Sequence, residues 1–109
     1  MNVYFYKEKF IATYFFKNLK GAYSDIDKIA FHYTSPFTHP ALVIYWKKMK
    51  IGFDWGADKE YLIELLKFFS SRQITISDPD DLLRNYIDKK NYNSSEFQIL
   101  IEKKSLTGI

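Results

Sequence analysis

The chain has 109 residues and no cysteine, which is enough for one domain to bury its own core and excludes disulfide staples, thiolate catalysis and thiolate zinc sites. Hydrophobic residues make up 47% and charged residues 27%, a globular balance, and a net charge of +3 permits an acidic partner without demanding nucleic acid. The aromatic share of 19% is high: part of it follows the joint excess of Lys, Asn, Ile, Phe and Tyr expected of an AT-rich gene, and the surplus Tyr and Trp suit a contact surface as well as a core.

Charges interrupt residues 1–9 early and no small-residue cleavage site follows, so a secretion signal is not expected. The longest apolar stretch, Ala41–Trp46, is too short to span a bilayer, and a cytoplasmic protein with no membrane partner is the expectation. Ile11, Phe15 and Leu19 recur at helical spacing, Lys17 and Lys20 suit a helix C-terminus, and Gly21 suits the residue after it. That spacing predicts a helix over residues 4–20, while alternation across residues 3–6 leaves room for a short strand first. Ile29, Phe31 and Tyr33 alternate with Lys28, Ala30 and His32 as in a strand, and the proline-bracketed residues 35–40 read as a loop. Ala41–Trp46 and residues 49–55 form two β-rich runs, predicting a hairpin that turns near Lys47 and Lys48. Neither lysine suits a positive φ, so the turn is expected to exceed two residues.

Gly56 breaks the second run and Asp58 is placed to cap a helix. Leu62, Leu65, Leu66 and Phe69 then form an apolar stripe opposed by Lys59, Glu60, Glu64 and Lys67. Ile74 and Ile76 mark a short strand. Asp78, Pro79, Asp80 and Asp81 read as a helix start, with Asp78 as cap and Pro79 in the first turn, for a helix closed by Lys89, Lys90 and Asn91. Phe97, Ile99 and Ile101 alternate in a last strand, and residues 105–109 read as a loose tail. The expected fold is a single α+β domain over residues 1–109 in the order α-β-β-β-α-β-α-β. It has a mixed sheet with a central hairpin, and helices packed on it. Leu62, Leu65, Leu66, Phe69, Leu82, Tyr86, Phe97, Ile99 and Ile101 are expected in its core.

The opening order α-β-β-β-α-β resembles the core of the restriction-endonuclease-like fold. A site of that family takes an acid near the second strand and an acid-x-Lys triad on the third, which together hold a divalent metal and activate water. Here Ala41–Trp46 carries no acid, and Asp54 is followed by Trp55 and Gly56 where the lysine belongs. The resemblance is therefore one of topology alone: it makes no case for a nuclease and leaves a decayed, non-catalytic relative open.

No other constellation assembles a reactive centre. His32 and His39 flank Ser35, but in a proline-bracketed loop without a nucleophile elbow, and as a metal pair they lack a third ligand at diagnostic spacing. Asp78, Asp80 and Asp81 resemble the opening of a calcium loop whose glycine and distal glutamate do not follow. Gly21, Gly52 and Gly56 are isolated and build no phosphate cradle. The expectation is a protein without enzymatic activity, metal or cofactor.

Size, composition and aromatic excess resemble, in general character, the small immunity proteins of interbacterial toxin systems. The leading reading is an inhibitor of the immunity or antitoxin kind, which binds a toxin of nuclease type and blocks it. Such a partner is basic, so recognition falls to acids: Asp78, Asp80, Asp81 and Asp88 on one candidate face, Asp54, Asp58, Glu60 and Glu64 on another. An alternative is a nucleic-acid-binding accessory protein using Tyr45, Trp46, Lys47, Lys48 and Lys50, where rings stack on bases and ammonium groups meet phosphates. A third is a phage or plasmid inhibitor of a host defence enzyme.

Overall fold

Alternation, not helical spacing, governs the N-terminal segment. The computed structural model describes residues 2–33, 39–88, 90 and 101–102. Its first three elements are strands β1 (Asn2–Phe5), β2 (Lys9–Tyr14) and β3 (Lys17–Ala22), joined as an antiparallel meander in the order β1-β2-β3. The helix expected over residues 4–20 is therefore absent, and with it the leading helix on which the likeness to the restriction-endonuclease-like core depended. Phe10 and Ala12 of β2 are buried and Val3 and Phe5 of β1 are half-buried against the core, whereas Tyr4 and Tyr6 face solvent. Gly21 explains the pairing. It lies directly across from Phe10, whose ring occupies the place where a side chain at residue 21 would stand. Gly21 is thus a seat for an aromatic ring inside a sheet and not the end of a helix.

A 3₁₀ turn at Tyr23–Asp25 leads into β4 (Ile26–His32), β5 (Ala41–Trp46) and β6 (Met49–Phe53). Helix α1 (Lys59–Ser71) follows, then β7 (Ile76–Ser77) and β8 (Ile101–Glu102). The five strands form a mixed sheet in the order β6-β5-β4-β7-β8: the first three are antiparallel, and β7 runs parallel to both β4 and β8. The α+β class is as expected, and the run β-β-β-α-β from β4 to β7 matches element for element. The hairpin lies at one edge of this sheet and β4 is its middle strand, so the expected central hairpin is displaced to the rim.

Helix α1 begins where its chemistry dictates. The Asp58 carboxylate accepts hydrogen bonds from the backbone N–H of Glu60 (3.0 Å) and Tyr61 (3.2 Å). At the other end Gln73 adopts a left-handed φ of 58°, with its N–H donating to Ser70 and that of Ile74 to Phe69. This paired closure satisfies the last carbonyls of the helix. The expected stripe of Leu62, Leu65, Leu66 and Phe69 is buried.

One core lies between the sheet and the layer formed by α1 and the meander. Ile29, Phe31, Leu42, Ile44, Trp46, Ile51 and Phe53 supply the sheet side. Phe5 meets Phe53 and Phe69 with ring centroids 5.4 and 5.3 Å apart, and Phe10 meets Trp46 edge-on at 5.7 Å. The aromatic excess is therefore used first in joining the meander to the main sheet.

The helix expected from Pro79 onward shortens to a single 3₁₀ turn, Leu83–Asn85, among the described residues. Asp78 does act as a cap: its carboxylate accepts from the N–H of Leu82 (2.8 Å) and Leu83 (3.0 Å). Asp81 takes a left-handed φ of 55°, which breaks helical continuation between cap and turn. Leu83 and Ile87 are buried there, while the expected core residues Leu82 and Tyr86 are half-buried. The expected positions Phe97 and Ile99, the tail 105–109, and the side chain of Ile101 lie outside the described residues.

The β5–β6 turn holds two residues after all. Trp46 pairs with Met49, and Lys47 and Lys48 take φ values of 46° and 65°. Both central residues are left-handed, the geometry that favours Asn-Gly and works against side chains with a full Cβ. Lys47→Asn combined with Lys48→Gly should stabilise the fold by about 1 kcal/mol. A denaturant midpoint that fails to rise in this double variant would show that the turn carries no strain.

Candidate functional site

Of the acids expected to face a partner, several are held by the fold instead. Asp78 is 1% exposed, so its carboxylate serves the chain inward and is withdrawn from the candidate face. Asp58 caps α1. Asp81 pairs with Arg84 at 2.9 Å. Asp80 and Asp88 are exposed on the same segment, and Glu60 and Glu64 on the outer face of α1. Of the acids named around residues 78–88, Asp78 is thus turned inward, while Asp80, Asp81 and Asp88 stay at the surface.

Asp54 stands at the end of β6, where one carboxylate oxygen accepts from the Gly56 N–H (2.8 Å) and lies 2.6 Å from His39 Nε2. The Gly56 N–H, and then His39, hold its pKa below the ordinary carboxylate value against an opposing desolvation. A carboxylate with a depressed folded-state pKa contributes stability above its unfolded pKa. That contribution is lost as the pH falls through the lower, folded value. Acid titration of stability should accordingly be shallower in Asp54→Asn than in the wild type below the ordinary carboxylate range. Parallel curves would exclude a contribution from this contact.

The structure brings Asp54 and Glu64 to a surface that spacing alone does not reveal. Strand β1 lies beside α1, and between them runs a groove lined by Val3, Tyr4, Phe5, Tyr6, Tyr61, Glu64, Leu65 and Phe68. An adjoining depression shares Val3, Tyr4 and Tyr61 and reaches Asn2, Phe53 and Asp54. Tyr4, Tyr6 and Tyr61 are exposed along it, over a floor of half-buried Phe5 and Phe68 and buried Leu65. Among the described residues, the ionisable side chains other than tyrosine are Glu64 in the groove and Asp54 in the depression. Burial, and then the neighbouring Glu64 charge, push the Tyr61 hydroxyl pKa up.

The β1–β2 turn next to the groove is tied down by side chains from elsewhere in the chain. The Tyr23 hydroxyl reaches the carbonyls of Tyr6 (2.5 Å) and Lys9 (2.9 Å), and the Arg72 guanidinium donates to the Lys7 carbonyl at 2.7 Å. Arg72 also lies 3.6 Å from the centroid of the Phe68 ring. These contacts fix the β1–β2 turn against the end of α1, so the Tyr4 and Tyr6 side chains project from a braced edge.

The lysine hairpin is arranged differently from a base-stacking platform. Tyr45 sits in a cross-strand row between Lys28 and Lys50, whose ammonium groups lie 4.8 and 5.4 Å from its ring centroid. Trp46 is buried against Phe10, with Lys47 5.2 Å from its centroid. The rings named for nucleic acid are therefore engaged by lysine ammonium groups and, for Trp46, by the core side chain Phe10. Lys47, Lys48 and Lys50 remain exposed.

The two histidines serve separate places. His32 Nδ1 lies 3.2 Å from the Tyr33 carbonyl, while His39 bonds Asp54 and meets the Trp55 ring edge-on. Ser35 lies outside the described residues. Among the described residues no group of three His, Cys, Asp or Glu side chains is placed to hold a metal ion. Comparison of the chain with protein-family models, curated proteins and solved structures found no match in any of the three. Tyr4, Tyr6 and Tyr61 were not among the sequence candidates. The signal for the first two was present as alternation with Val3 and Phe5, but Tyr61 joins them only through the packing of β1 against α1.

Proposed function

We propose that this chain is a non-catalytic interaction protein, an inhibitor of the immunity or antitoxin kind that acts in the cytoplasm by docking a basic face of a toxin. The observation that carries the reading is the groove between β1 and α1, where Tyr4, Tyr6 and Tyr61 surround an apolar floor and Glu64 and Asp54 supply the charge. Tyrosine offers large contact area with few torsions to freeze and a hydroxyl to pair at the rim, which is why it dominates recognition surfaces. Carboxylates at such a rim favour encounter with a basic surface and oppose an acidic one. A nuclease-type toxin presents a basic cleft, and occluding it needs no chemistry from the inhibitor. An inhibitor of a host defence enzyme would use the same groove; the gene beside this one distinguishes the two targets.

Co-expression tests the reading. The wild-type chain should protect cells from the product of a toxin-like neighbouring reading frame. Tyr61→Ala with Glu64→Lys should remove protection while the protein stays folded and abundant. Protection that survives this pair unchanged would place recognition elsewhere.

A further inference from the structure

Two hairpin turns meet at one end of the molecule, and neither has the residues its geometry favours. Phe15 and Phe16 form the two-residue connection between the paired Tyr14 and Lys17, and Lys47 and Lys48 connect the paired Trp46 and Met49. Phe15, Lys47 and Lys48 adopt left-handed φ values of 53°, 46° and 65°. Glycine, asparagine or aspartate closes such turns with less strain. Phe15 is 85% exposed and Phe16 104% exposed, so the core does not account for these rings either. Most of both ring surfaces is open to solvent, an exposed apolar feature of the kind that marks an interaction surface.

The neighbourhood says what that is. Phe15, Phe16, Lys17, Leu19 and Met49 line one groove, which places the two turns side by side. Lys17 is itself part of the lining, Lys48 precedes Met49 in the turn, and both are exposed. Asp25 approaches Lys47 at 3.9 Å, but among the described residues no acid lines the groove. The end of the molecule is thus an apolar tip bordered by Lys17 and Lys48.

We propose that this end docks onto an anionic lipid bilayer, with Phe15 and Phe16 entering the interface and Lys17 and Lys48 meeting headgroup phosphates. A protruding tip needs an enclosing partner, and a bilayer encloses it without a matched pocket. Apolar insertion and basic attraction are the two signals that together give stable peripheral binding, each being weak alone. A second copy brought tip to tip would set one lysine pair against the other. This surface shares no residue with the β1–α1 groove, so the inference stands apart from the proposed function.

Sedimentation with vesicles of phosphatidylcholine, with and without phosphatidylglycerol, tests it. The wild type should partition onto the phosphatidylglycerol vesicles at least about tenfold better than onto phosphatidylcholine alone, and added salt should reduce the difference. Phe15→Asn with Phe16→Ser should lose about tenfold or more in partitioning while its melting temperature holds or rises, because asparagine suits the left-handed turn. Lys17→Gln with Lys48→Gln should lower binding to the anionic vesicles selectively. Absence of vesicle binding, equal binding to both vesicles, or binding untouched by the phenylalanine pair would overturn the proposal. So would lipid-free, concentration-dependent self-association that the phenylalanine pair abolishes, since the occupant would then be a second copy.

Discussion

Trp55→Ala should lower the free energy of unfolding by about 3–5 kcal/mol, a large part of the total stability of a domain this size. Trp55 is 2% exposed although it lies beyond the end of β6. Its indole N–H donates to the Pro40 carbonyl at 2.6 Å, which ties the start of β5 to the end of β6. Its ring meets Phe31 at 6.2 Å, Tyr86 at 5.7 Å and His39 at 5.0 Å. Alanine leaves a void among these rings and a buried carbonyl without its donor, and the two losses act together. Trp55→Phe keeps much of the packing and loses the hydrogen bond, so it should fall between wild type and alanine. Urea unfolding followed by circular dichroism measures both. A cost below about 1 kcal/mol for alanine would mean that this cluster is not part of the core.

Asp78→Ala should cost about 2–3 kcal/mol, whereas Asp80→Asn should change stability by less than about 0.5 kcal/mol. The contrast follows from position. Asp78 is buried with both carboxylate oxygens accepting backbone N–H groups, and alanine strands two donors next to the buried Leu83. Asp80 is exposed. Similar effects from both substitutions would contradict the assignment of Asp78 to the fold and return it to the candidate surface.

The same residues show what could be read in advance. The run from β4 to β7 was legible because each boundary has a local cause: the prolines before β5, the alternation of Ile51 with Phe53, and Asp58 ahead of a regular leucine stripe. Residues 9–21 carry two periods at once. Ile11, Phe15 and Leu19 match a helix, Phe10 and Ala12 match a strand, and the deciding contact is between Phe10 and Gly21 on different strands. The Asp78 motif was read correctly as a cap and wrongly as the start of a long helix, because the left-handed Asp81 follows it. The turn at Lys47 and Lys48 was judged too short for lysines, yet the cross-strand rows of β5 and β6 hold it closed at two residues.

Much less of the candidate site was legible. Acidic residues mark helix starts as readily as binding faces, and at Asp58 and Asp78 the structural use prevails. Glu64 and Asp54 were named from charge alone, without the tyrosines that give their surroundings a binding character. That grouping exists only once the meander brings β1 alongside α1, a contact between segments about 60 residues apart in the chain.

The most direct test of the central claim is a calorimetric titration of the purified chain against the product of the adjacent reading frame, with two sets of variants compared side by side. Tyr61→Ala with Glu64→Lys should weaken binding by about 2–4 kcal/mol, with a salt dependence smaller than that of the wild type. Lys47, Lys48 and Lys50 changed together to Gln should leave the affinity within about 0.5 kcal/mol. The reverse ranking, with the lysine set weakening the complex and the groove pair leaving it intact, would contradict the account.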